Sequence, residues 1–149
     1  MMSAATLLRW QFQVVHRLLE ADGDRSCQQA AACYAGVTLC EDVTINGVLA
    51  AQTPLALSTW RGRTGLSELP PLGRPDERRA WLDRVRVEGW AFRRYARAVH
   101  AATDAYLAQL VDEPRELGPG ESTANVLTAL LLRLWSAYPT GAMTLASRP

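Results

Sequence analysis

The stretch of residues 26–69 constrains the fold most, because it joins one long helical pattern to a long connection. Within it, small or apolar residues recur three or four positions apart and therefore share one face of a helix. These residues are Cys33, Gly36, Cys40, Val43 and Gly47. A capping box at residues 26–29 predicts where this helix begins. Residues 52–75 hold four of the eight prolines, which predicts a crossover loop in place of a tight turn.

Three further stretches carry the same helical spacing: from residue 3 or 6 to about residue 21, at about residues 76–111, and from about residue 122 onward. One unbroken helix over residues 76–111 would be about 50 Å long, so we predict a break near residues 87–89. Glu88 then lies at a helix start, as a structural anion favoured by the helix dipole, or it points inward as a carboxylate. We favour the structural role.

Proline and glycine residues predict two features of the carboxyl-terminal part of the chain. Residues 112–121 contain two prolines and two glycines and are interpreted as a linker. Pro139 and Gly141 are expected to end or kink the last helix, because proline removes an amide donor from the helix. The short first and third links predict that the helices they join are antiparallel.

The composition indicates one globular domain covering residues 1–149. The chain has 149 residues, 48% of them hydrophobic, and a net charge of +1, which does not favour a disordered chain or a nucleic-acid partner. No apolar run approaches the roughly 20 residues of a membrane span, so no membrane partner is expected. The amino terminus lacks the basic start of a signal peptide, and the expected location is the cytoplasm. All sixteen basic residues are arginine, which excludes a lysine Schiff base.

Residues 33–43, the pair Asn46-Gly47 and the loop at residues 60–69 resemble the DinB-like family of bacterial proteins. The resemblance implies an all-α four-helix bundle with a long crossover loop between helices 2 and 3. It also implies a divalent metal held by three histidines. Residues 130–138 are similar to the family segment that carries two of these histidines, four positions apart.

In this chain the three histidine positions of the family are Gly36, Arg133 and Ala137. His16 and His100 look isolated in the sequence and are not expected to replace those ligands. The adjacent Glu41 and Asp42 lie about 100° apart on a helix and are not expected to face the same point. We therefore expect no metal and no other cofactor, and metal-assisted thiol transfer is the least favoured activity.

Arg133 is the predicted catalytic residue. Gly36 and Ala137 remove bulk where imidazoles would stand, and the arginine adds a permanent planar donor. A cavity of this kind suits a mostly apolar ligand with a carbonyl, enolate or carboxylate. The other predicted pocket residues are Trp10, Gln11, Gly36, Cys40, Trp60, Tyr95 and Ala137. The alternative is that Arg133 extends to solvent or pairs with Glu41 or Glu88, and that side chains fill the centre.

Two classes of function are compatible with these features. One is a metal-independent enzyme of specialised biosynthesis that isomerises or cyclises a small hydrophobic molecule, because holding a reactive conformer needs no strong acid or base. The other is a non-catalytic ligand-binding or dimeric scaffold protein. A homodimer is expected because the first and last helices carry apolar residues on more than one face. Examples are Trp10, Phe12, Leu134 and Trp135.

Overall fold

The computed structural model describes residues 3–21, 27–71, 74–112 and 123–146, with side chains to residue 137 except at residues 75 and 112. This part of the chain is all-α and contains five α-helices. Their bounds are α1 Ala4–Ala21, α2 Gln28–Asp42, α3 Pro75–Arg84, α4 Gly89–Asp112 and α5 Thr123–Ala146. A π-helical segment, Val43–Leu49, continues α2, and a single 3-10 turn, Leu55–Leu57, follows. No helix within the described ranges is long and apolar enough to cross a membrane.

The helices pack mostly against helices that are distant in the chain. Each of α1 and α2 packs against both α4 and α5, and α3 packs against α2. Two pairs of helices that follow each other in the chain, α1 with α2 and α4 with α5, are not main packing partners in the described residues. On α1 the inward face is formed by Phe12, Val15, His16 and Leu19, which recur at helical spacing.

The long connection between the π-helical segment and α3 is packed onto the helices. Trp60 is half-buried, and Leu66 forms an isolated antiparallel bridge with Val87, just before α4. Beside this bridge the backbone amide of Glu88 donates to the carbonyl of Gly65 at 2.7 Å. This connection therefore contacts the start of α4 directly.

The predicted break in the third helical region is confirmed, since α3 ends at Arg84 and α4 begins at Gly89. The structural role of Glu88 is also confirmed. Its Oε2 accepts a hydrogen bond from the amide of Ala91 at 2.7 Å, which caps the first turn of α4.

Of the two outcomes expected at Pro139 and Gly141, an early end of the last helix is wrong, and a kink stays a prediction. α5 continues past Pro139 and Gly141 to Ala146, because a proline costs a helix one amide donor without forbidding the turns on either side. Two other sequence predictions lie outside the described residues: the Ser26 end of the capping box and most of the linker at 112–121.

Candidate functional site

A groove of about 320 Å³ lies between α5 and the end of α2. Helical spacing on α5 brings its contributors to one face, and the facing wall comes from α2 and the π-helical segment. The lining residues are Cys40, Thr44, Asn125, Val126, Ala129, Leu130 and Arg133. The exposed Arg133 extends along this groove, and its Nη1 donates to Sγ of Cys40 at 3.4 Å. The groove thus combines an apolar floor with a cation and several polar atoms.

The predicted pocket residues lie in several places, and only Cys40 and Arg133 of that set line this groove. The rings of Trp60 and Tyr95 lie 6.2 Å apart, on the side of α4 that faces the connection after α2. Trp10 is 54% exposed on α1. On the same helix Gln11 is half-buried, and Ala137 is buried on α5.

Gly36 does not border an open cavity in the described structure. A Cβ atom built on Gly36 would lie 3.5 Å from Cζ3 of Trp81 and 3.5 Å from Nη2 of Arg78. The Trp81 side chain is completely buried, and its Nε1 donates to the carbonyl of Glu68 at 3.0 Å. An indole from α3 therefore fills the space next to the glycine.

Asp42 organises the side of α2 that faces the long connection. Its carboxylate is completely buried and accepts from Tyr95 Oη at 2.6 Å, Asn46 Nδ2 at 2.8 Å and the amides of Leu55 and Ala56 at 2.8 and 2.9 Å. Burial and the neighbouring Asp42 carboxylate raise the pKa of the Tyr95 phenol. Tyr95 is thus a fixed hydrogen-bond donor to Asp42.

A second buried cluster joins α1, α2 and α4. His16 Nε2 lies 3.0 Å from Glu41 Oε1, and Thr103 Oγ1 donates to Glu41 Oε2 at 2.7 Å. The imidazole of His100 stacks on that of His16, with ring centroids 3.9 Å apart and planes within 9°. His100 Nδ1 lies 2.8 Å from Glu20 Oε1. The expectation that the two histidines are isolated is wrong.

The charges of this cluster are balanced by close contacts. Desolvation of the completely buried Glu41 raises its pKa, but the adjacent His16 and the Thr103 hydroxyl outweigh burial and leave the pKa below its usual value. The hydrogen bond from His100 lowers the pKa of Glu20. Both carboxylates are thus held as anions beside imidazoles.

The sequence contains one signal for this cluster. His16 lies within the buried stripe of α1, and His100 lies four positions after the buried Ala96 and three before the buried Thr103, so each histidine is on the inward side of its own helix. A histidine in an apolar stripe needs a polar partner. Sequence spacing alone does not show which polar residue contacts each histidine, because three separate helices supply the residues of the cluster.

The distances between His16, Glu41 and His100 allow them to hold a cation. One ligand atom from each residue lies within 4.8 Å of the other two, and all three residues are buried. Comparison with protein-family models, curated proteins and solved structures found no match.

Proposed function

We propose that this chain is a DinB-like four-helix bundle that binds a small molecule in the groove between α2 and α5. The main helices of the proposed bundle are α1, α2, α4 and α5, with residues 50–74 as the crossover. This arrangement is supported by the packing of α1 and α2 against both α4 and α5. The main support for the binding function is the position of Arg133, whose guanidinium lies along a groove of suitable size.

The lining determines the chemistry of the ligand. Val126, Ala129 and Leu130 offer apolar surface, while Arg133 offers a planar set of cationic donors. A volume of about 320 Å³ is at the small end of ligand sites. The ligand is therefore a small metabolite with an apolar body and a carboxylate, carbonyl or enolate oxygen.

The reaction proposed for this ligand is an isomerisation or an intramolecular cyclisation without a metal at the groove. Such reactions are accelerated when a reactive conformer is held in place and a fixed donor stabilises the charge that develops on oxygen. Arg133 supplies that donor, and the apolar residues of α5 restrict the ligand's conformation.

Non-catalytic binding is the second candidate. It is favoured by the absence of aromatic side chains and carboxylates from the described lining of the groove, which leaves few groups to hold or move a proton. Turnover assays on any ligand that binds distinguish the two, since a binding protein returns the ligand unchanged.

The binding function is tested with Arg133→Met. Small carboxylic acids and ketones are screened against the protein by backbone amide chemical shifts, and shifts are expected near residues 40–44 and 125–133. Removing one charged donor is expected to weaken binding, and any turnover, roughly 10–1000-fold while the fold is kept.

Arg93→Met is the matched control, because Arg93 is an exposed arginine of α4 outside the groove. It is expected to bind like the unmodified protein. Equal affinity in Arg133→Met and Arg93→Met would contradict the proposal. Loss of helical circular dichroism in Arg133→Met would instead show that the arginine is a structural residue.

The homodimer and the cytoplasmic location stay predictions. Of the four apolar residues that suggested a dimer, Phe12 and Leu134 are buried in the core and Trp135 is partly buried. Trp10 is the one that is largely exposed. Sedimentation at high micromolar concentration measures the oligomeric state directly.

A further inference from the structure

His100 has a buried nitrogen without a hydrogen-bond partner. The residue is 5% exposed, and its Nε2 is completely buried while its Nδ1 is engaged by Glu20. An unpaired polar atom in a protein interior is costly, about 1–3 kcal/mol. The unsatisfied atom belongs to the ring that stacks on His16, which itself contacts Glu41. The cluster therefore has an unused ligand atom next to two further ligands.

Two imidazoles and one carboxylate form a donor set that suits divalent transition metals. The ligand atoms lie within 4.8 Å of one another. Ligand atoms around a tetrahedral Zn²⁺ at the usual bond length lie about 3.4 Å apart, so the three ligand atoms must approach one another by up to about 1.4 Å. The lone pairs of the two imidazoles lie in ring planes that are nearly parallel, so binding an ion requires the rings to rotate out of their stacked arrangement.

Neighbouring groups already orient these ligands. Glu20 holds His100 through Nδ1, which leaves Nε2 as the ligand atom, and Thr103 holds the second oxygen of Glu41. Histidines that bind metals commonly donate their other nitrogen to a carboxylate in this way, which raises the basicity of the ring. The supporting contacts of a metal site are therefore present.

The charge balance also favours a dication. Two carboxylates, Glu20 and Glu41, contact the two imidazoles of the cluster, and Glu41 is completely buried. One divalent ion would neutralise both carboxylates and satisfy the free nitrogen of His100. Uncompensated charge in the interior is unfavourable, so the ion would stabilise the folded chain.

We propose that His16, Glu41 and His100 bind one divalent transition-metal ion of the Zn²⁺ class in the protein core. The ion links α1, α2 and α4, and its role is structural because its ligands are buried. This site is distinct from the positions of Gly36, Arg133 and Ala137, where the resemblance implies metal ligands, and it reverses the expectation of a metal-free chain. It does not depend on ligand binding in the groove.

The test uses the full chain, stripped with a chelator and then titrated with Co²⁺, whose visible absorption reports its ligands. The expected result is one Co²⁺ per chain, displaced by Zn²⁺, and a rise in melting temperature with either ion, because an ion that binds only the folded state stabilises it. His100→Leu removes the unused nitrogen and should weaken Co²⁺ binding at least about 100-fold. Glu20→Gln keeps all three ligands and should weaken it about 10–100-fold.

Cys40→Ser is the matched control, since Cys40 is next to the ligand Glu41 on α2 but lies in the groove. It should bind Co²⁺ with unchanged affinity. The proposal is overturned if the unmodified protein shows neither the absorption nor the stabilisation, or if His100→Leu binds like the unmodified protein. If His100→Leu does not fold, Glu20→Gln decides, and unchanged affinity in that variant overturns the proposal.

Discussion

Asp42 shows how much one buried carboxylate can contribute to the stability of the fold when both of its oxygens accept hydrogen bonds. It accepts hydrogen bonds from Tyr95, from Asn46 and from two backbone amides, all within 2.9 Å. Asp42→Asn replaces an acceptor by an amino group that faces these donors. The expected loss is about 3 kcal/mol of unfolding free energy, measured by urea denaturation, because buried partners are left unsatisfied.

Asp104→Asn is the control for this change. Asp104 also accepts from several donors, at Arg9 and Gln13, but its side chain is 35% exposed. Water can replace the lost contacts, so the expected loss is under about 1 kcal/mol. Similar losses in the two variants would contradict the central role of Asp42.

For single residues, the sequence predicted the environment of Glu41 and Asp42 only in part. Adjacent positions on a helix point in different directions, and the two carboxylates do have different partners. Both are nevertheless completely buried. The sequence could not reveal this, because the compensating His16 and Tyr95 come from helices far away in the chain.

At the scale of elements, the junction between the long connection and α4 depends on Gly65. Its φ is +77°, and a Cβ atom there would lie 2.5 Å from the amide nitrogen of Phe92 and 2.7 Å from the carbonyl oxygen of Glu88. Gly65→Ala must therefore displace the first turn of α4. We expect a loss of roughly 3 kcal/mol, measured as a fall in melting temperature and in the denaturation midpoint.

Gly62→Ala is the control for this change, because it measures the cost of the left-handed backbone conformation without the close approach to α4. Gly62 has a φ of +74°, but a Cβ atom added to it would have no other atom within 4 Å. The expected cost is only the left-handed conformation, about 1 kcal/mol. If the two alanine variants lost equal stability, the contact with α4 would not be the cause.

Element positions were the most predictable level of this structure. Apolar spacing located α1 and α4, and the length of one continuous helix was enough to predict the break before Gly89. Spacing did not predict that α2 continues as a π-helical segment, where Asn46 bonds to Asp42. It also did not predict the course of α5 past Pro139. The contacts of Asp42 with Tyr95 and with the amide of Leu55, next to the π-helical segment, come from other parts of the chain, which a local pattern does not contain.

At the scale of the whole molecule, acidic pH should destabilise the fold through carboxylates that tie helices together. Glu20 on α1 contacts His100 on α4, and Glu41 on α2 contacts His16 on α1. Both groups have a pKa below the usual 4.5 in the folded chain. The folded state therefore binds fewer protons than the unfolded chain near pH 4.

Asp104 on α4 adds a third such group, because its hydrogen bond from Arg9 on α1 holds its pKa below 3.8. A lowered pKa gives stability that is present above the unfolded value and is lost as pH falls towards the folded value. The free energy of urea unfolding should therefore decline steeply below about pH 4.5. Each of these three groups adds at most about 1.4 kcal/mol per pH unit to that slope. Asp104→Asn should reduce the slope, and a free energy that stayed level down to pH 3 would show that these ion pairs do not hold the helices together.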